Sequence, residues 1–80
     1  MYFVYIIYSP NYDLYYKGST SNIDKRLAQH NDNQSRYTAG KGLWRLVFLK
    51  NFGNKTEALI EEKRLKKLNR KSILKVINDG

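Results

Sequence analysis

Seven consecutive residues near the start of the chain, Tyr2 to Tyr8 (YFVYIIY), carry no charge and no small polar side chain. Such a segment has no face suited to water, so whichever way its side chains point they need cover. The β-branched Val4, Ile6 and Ile7 set among aromatic rings favour an extended chain over a helix. Successive side chains of a strand point to opposite faces. A strand that is apolar on both faces must therefore lie inside a sheet, with packing above and below it. Whatever fold this chain adopts has to be built around that strand.

The next segment turns the chain back on itself. Ser9-Pro10-Asn11-Tyr12-Asp13 is rich in turn formers, and Pro10 has no amide proton for a ladder. Leu14 to Thr20 returns as a second strand, so that Tyr2 to Thr20 holds six of the seven tyrosines. Directly opposed residues of an antiparallel pair share a face, and a slip of one residue reverses it. A four-residue loop from Ser9 to Tyr12 sets Tyr5 opposite Tyr16; a five-residue loop separates them. The sequence allows both.

Ser21 or Asn22 can cap a helix whose first turn holds Asp24, where the helix dipole favours a carboxylate. It should run to about His30 or Asn31, with Ile23 and Leu27 inward and Arg26 and His30 one turn apart. Asn31 to Gly42 is polar and without period, and reads as a surface loop. Leu43 to Leu49 is a third strand, broken by Asn51-Phe52-Gly53-Asn54. A helix from Thr56 can reach Leu68. Asn69 or Lys71 can interrupt it before a short amphipathic segment, Ile73 to Ile77, so either one helix or two follow Thr56. The fold class is α+β: a small three-stranded antiparallel sheet flanked by helices, in the order β-β-α-β-α with the third helix optional.

Eighty residues make one domain, residues 1–80, near the lower limit of what folds without staples. The chain has no cysteine, which excludes disulfides and thiolate zinc sites. The apolar N-terminal run is too short to span a bilayer, no lipidation motif is present, and a cytoplasmic protein without membrane attachment is expected. Fifteen Lys and Arg against seven Asp and Glu leave a net charge of +8. So large an excess on so small a domain attracts polyanions, nucleic acid foremost.

Several side chains have the right chemistry for phosphate. Tyrosines serve cores more often than mechanisms, and a phenol with a pKa of about 10 needs nearby cations or a metal to act as a base. Arg26 can hold two phosphate oxygens at once, which lysine cannot. His30 can donate to a phosphate or a leaving oxygen, or simply cap its helix. On the later helix Glu61 and Glu62 both interrupt an apolar patch formed by Ala58, Leu59 and Leu65, and the wheel does not choose between them. One carboxylate suffices to hold Mg²⁺, which keeps most of its waters. The loop Ser35-Arg36-Tyr37-Thr38-Ala39-Gly40-Lys41-Gly42 offers cations and hydroxyls but no P-loop pattern.

Taken in order, these pieces resemble the GIY-YIG nuclease domain, in particular its small stand-alone bacterial form (UPF0213-like). The first triplet stands as Val4-Tyr5-Ile6 and the second as Tyr16-Lys17-Gly18. Asp24 to Asn31 (DKRLAQHN) looks like the family's helix, Ser35 to Thr38 like its loop before the third strand, and Thr56 to Glu62 with Lys66 to Arg70 like its second-helix signature. Lys17 departs from the family's apolar triplet centre and is expected on the face opposite Tyr16.

The resemblance implies an endonuclease that hydrolyses DNA phosphodiester bonds, nicking one strand at a time with little sequence specificity, in a DNA repair or recombination setting. It implies Tyr5 and Tyr16 at the attacking water, Arg26 on the scissile phosphate, His30 and Tyr37 in support, and Glu62 rather than Glu61 as ligand of one Mg²⁺ or Mn²⁺. Lys17, Arg36, Lys41, Lys66 and Arg70 are the expected DNA contacts. DNA, recognised non-specifically or by its structure, is the expected partner, with an unidentified protein as the other source of specificity. The alternative is a nucleic-acid-binding module on the same fold, without turnover.

Overall fold

A computed structural model describes residues 1–32, 40–41 and 43–79. Its elements are β1 (Tyr2–Ser9), β2 (Leu14–Thr20), α1 (Ile23–Asn31), β3 (Arg45–Phe52), α2 (Lys55–Lys66) and α3 (Arg70–Asp79). The three strands form one antiparallel sheet in the order β2-β1-β3, so the apolar run is its middle strand. Val4, Tyr5, Ile6 and Ile7 are all buried.

β1 feeds two cores because its side chains alternate. Val4 and Ile6 pack with Ala58 and Leu65 of α2 and Ile73 of α3. Tyr5 and Ile7 pack on the opposite face with Trp44, Tyr16, and Ile23 and Leu27 of α1. Full burial of an aliphatic side chain contributes roughly 1.5–3 kcal/mol, so one strand ties both helical layers together.

The hairpin takes neither of the two loops that the sequence leaves open for the tyrosines. Ser9 pairs with Leu14, leaving the four-residue connection Pro10 to Asp13, one residue later than Ser9 to Tyr12. Tyr5 consequently faces Gly18, and Tyr16 faces Ile7. The two phenols are diagonal neighbours on one face rather than directly opposed. Asp13 at φ 53° supplies the left-handed position that ends the turn, a conformation that aspartate tolerates better than most residues. Its carboxylate accepts from Tyr8 Oη at 2.7 Å and pairs with Arg70, whose guanidinium also lies over the Tyr15 ring at 5.2 Å. The start of α3 is thereby fastened to the hairpin tip.

The third strand begins and ends later than its apolar pattern suggests. Trp44 is held by a side chain instead of a ladder: its N–H donates to Asn31 Oδ1 at 2.6 Å, and Asn31 Nδ2 donates back to its carbonyl at 3.4 Å. At the other end Lys50, Asn51 and Phe52 pair with Val4, Phe3 and Tyr2 despite their mixed polarity. The register shifts between Ile6, opposite Phe48, and Ile7, opposite Leu46, leaving Val47 as an extra residue. That bulge lets Val47 and Phe48 both pack against the Val4–Ile6 core.

Helix caps fix the remaining boundaries. Asn22 accepts from the Lys25 amide and begins α1; Asn54 accepts from Glu57 and begins α2. Asn69 accepts from the Ser72 amide at 2.9 Å, so two helices follow Thr56 and Asn69 is the interruption. Among the described residues no helix is long and apolar enough to cross a membrane.

Candidate active site

The α1-covered face of the sheet gathers four of the residues that the sequence marks as candidates. Tyr5 leans from the middle strand across the outer one, and a Cβ added at Gly18 would sit 2.5 Å from its hydroxyl. Glycine is required there by space alone. The Tyr5 hydroxyl lies 2.9 Å from His30 Nε2. The Tyr16 ring meets His30 edge-on, with centroids 5.1 Å apart, and approaches Trp44 at 6.5 Å. One turn before His30, half-buried Arg26 bears on both phenols. Its Nη1 also donates to Gln29 Oε1 at 3.1 Å, which limits where the guanidinium points.

Burial raises the Tyr5 pKa above its ordinary value of 10.0, and hydrogen bonding and charge from Arg26 oppose this only in part. The charges of Tyr16 and Glu62 push the same way as burial. The phenol is therefore protonated at neutral pH. His30 is wholly buried, and its pKa falls to about 4, first through burial and then through the charge of Arg26. A neutral phenol thus faces a neutral imidazole across a 2.9 Å hydrogen bond whose direction the imidazole tautomer sets.

Glu62 reaches the same strand from the other side. α2 lies on the Val4–Ile6 face, and Ser19, next to Gly18, points toward it. Ser19 Oγ donates to Glu62 Oε1 at 2.5 Å, and Lys66 Nζ stands 2.6 Å from Oε2. Glu61, by contrast, turns to Arg64, which donates to its two oxygens at 2.5 and 2.9 Å. Of the two carboxylates between which the wheel does not choose, Glu62 is the one directed at β2. Tyr5, Tyr16, Arg26 and His30 on one face and Glu62 on the other are separated by the thickness of one strand.

The expected DNA contacts are more scattered. Lys17 lies on the α2 side, as its alternation with Tyr16 requires, half-buried and with its pKa lowered first by burial and then by Lys66. The Arg70 guanidinium is engaged by Asp13 and Tyr15. The Lys41 carbonyl accepts from Ser9 Oγ at 2.5 Å. Arg36 and Tyr37 lie outside the described residues. Ser19 and Gln29, which hold Glu62 and Arg26, are not among the candidates that the sequence suggests. The available signals are the alternation that puts Ser19 on the same face as Lys17 and the i,i+3 spacing of Arg26 and Gln29.

Among the described residues no three His, Cys, Asp or Glu side chains form a cluster that could cage a metal. The single Glu62 carboxylate, already carrying an ammonium on one oxygen, fits a hard cation that takes few protein ligands and keeps its waters.

A model of the GIY-YIG catalytic domain matches residues 1–76. The chain is 40% identical over 76 residues to a UPF0213 protein of Oceanobacillus iheyensis, covering 94% of this chain and 87% of the relative. It is 39% identical over 79 residues to one of Clostridium perfringens, covering 98% and 84%. A solution NMR structure of a UPF0213 protein from Bacillus halodurans superimposes with a TM-score of 0.62 at 31% identity, covering 98% of this chain and 84% of that one.

Proposed function

The chain belongs to the GIY-YIG catalytic-domain family, whose nucleases act on DNA, and from that premise we propose that it is a metal-dependent endonuclease nicking DNA with little sequence specificity. One observation carries the reading. A phenol hydrogen-bonded to a neutral histidine and a guanidinium share one side of β2, while Ser19 on the same strand presents a carboxylate from the other side. An excess of eight positive charges draws the substrate in.

Each residue takes one part of the work. Arg26 takes two oxygens of the scissile phosphate and offsets the charge that grows on them during attack. Tyr5 receives a proton from the attacking water as its own passes to His30 Nε2, so the phenol never needs to become a free phenolate. A phosphate on Arg26 also neutralises the second cause of the low His30 pKa, which makes the imidazole a better acceptor once substrate is bound. Tyr16 packs against His30 and fixes the ring. Glu62 would hold the Mg²⁺ or Mn²⁺ ion, which when bound supplies Lewis-acid stabilisation to the phosphate and the leaving oxygen.

The test is a cleavage panel of supercoiled plasmid, flap, junction and single-stranded DNA with Mg²⁺ or Mn²⁺. Wild type should nick, with Glu62→Ala and Arg26→Ala slower by at least about a hundredfold. Wild type and Glu62→Ala equally inactive on every substrate would sink the enzymatic reading, and salt-dependent binding without cleavage would leave the binding module in its place.

A further inference from the structure

Glu62 is not simply waiting for a metal, since both of its oxygens have partners. Ser19 Oγ fixes Oε1 at 2.5 Å, and the Lys66 ammonium stands 2.6 Å from Oε2. The two partners differ in kind. The serine sits on a strand and holds the carboxylate in place. The lysine ends α2, is 50% exposed, and carries its charge on a flexible stem, while the Glu62 side chain is only 15% exposed. A divalent ion and this ammonium cannot share one oxygen at contact distance. The charge of Lys66 also weighs on half-buried Lys17, so two ammonium groups stand on the side of β2 where a phosphate would meet Glu62.

We propose that Lys66 is a placeholder cation for Glu62, displaced when a backbone phosphate of bound DNA takes its ammonium and frees Oε2 for the metal. This rests on Glu62 being the metal ligand. It makes metal binding weak in the absence of DNA and couples it to substrate, because whatever draws Lys66 away raises the affinity of the carboxylate for a cation. An i,i+4 pair on a helix surface is ordinarily a minor stabilising contact. Here Ser19 pins one member against the sheet, so the pair controls which cation the carboxylate holds.

The probe is Mn²⁺ alone, titrated into the DNA-free full chain at fixed ionic strength. Binding is followed by electron paramagnetic resonance of the free ion and by broadening of the Ser19 and Glu62 amide signals. Lys66→Met should bind Mn²⁺ about fivefold tighter than wild type, the value of one well-formed ion pair. Lys66→Arg, which restores the cation, should return to the wild-type affinity. Equal affinity for wild type and Lys66→Met overturns the proposal, as does an arginine variant that behaves like methionine. If at the same time Glu62→Gln abolishes the broadening, only the placeholder falls and the metal assignment stands. If Glu62→Gln leaves the broadening intact, Glu62 is not the ligand and both fall. Metal-free binding to duplex DNA should lose about one unit of salt slope in Lys66→Met. An unchanged slope means that no phosphate takes the ammonium, and overturns the exchange.

Discussion

The buried histidine should make this small domain sensitive to mild acid. An unfolded chain presents His30 at its ordinary pKa of 6.5, whereas the native ring, wholly buried beside Arg26, titrates near 4. As pH falls from 6.5 to 4 the unfolded state takes up a proton that the native state refuses. Stability is therefore fully present above 6.5 and declines through that window. At 1.36 kcal/mol per pKa unit the loss comes to roughly 3 kcal/mol. An eighty-residue domain holds on the order of 4–12 kcal/mol in all, so the effect is large. The assay is urea unfolding followed by fluorescence of Trp44, the single tryptophan, which is buried against Tyr16. Stability is measured between pH 7 and 4 for wild type and His30→Gln. Glu61 and Asp13, whose pKa values are lowered by Arg64 and by Tyr8 and Arg70, contribute to acid unfolding in both proteins and cancel. The two curves should draw apart by roughly 3 kcal/mol at the acid end. Parallel curves, or a proton NMR titration of this one imidazole centred near 6.5, would refute the reasoning.

Two other substitutions test the packing of the site. Gly18→Ala places a methyl group 2.5 Å from the Tyr5 hydroxyl and 2.7 Å from Cζ, with His30 behind the ring, and should cost about 1–3 kcal/mol. Thermal melts read the loss, and a shifted His30 resonance should accompany it; an unchanged melting temperature means that the phenol does not lie over the glycine. Asn31→Ala leaves the buried Trp44 backbone without its 2.6 Å acceptor and should destabilise by about 1–3 kcal/mol with a red-shifted Trp44 emission. Wild-type stability and emission in that variant would show that the strand start is held by something else.

The middle strand is legible in the sequence because a run without any polar face has one home in a small sheet, and Tyr2 to Tyr8 is such a run. The helix starts are legible to within a residue or two: Asn22 and Asn69 each stand beside another candidate, Ser21 and Lys71, and Asn54 caps α2, which begins at Lys55, one residue before the expected Thr56. Register is not. The four- and five-residue loops that begin at Ser9 both suit the turn formers, and the chain takes neither: the left-handed Asp13, tied to Tyr8 and Arg70, closes a four-residue connection that starts at Pro10. The end of β3 is hidden because Lys50 and Asn51 look like loop, yet an edge strand can carry polar side chains while its backbone pairs with β1. Arg70 shows what composition leaves out: its guanidinium, a cation in a basic stretch, also fastens two elements of the fold. Glu62 can be separated from Glu61 on physical grounds only by knowing what lies across from each, Ser19 for one and Arg64 for the other.

Among the described residues β2 has a partner strand on one flank only. On the proposed function it stands between the Glu62 carboxylate and the Arg26 guanidinium. For most proteins a bare sheet edge is a hazard that invites a neighbour to dock. Here it is a doorway, and a neighbour docked there would shut it. On that function, a second copy or a peptide that extends the sheet at β2 would lower cleavage without touching Tyr5, Arg26 or Glu62. The opposite edge, β3, can be covered without that consequence.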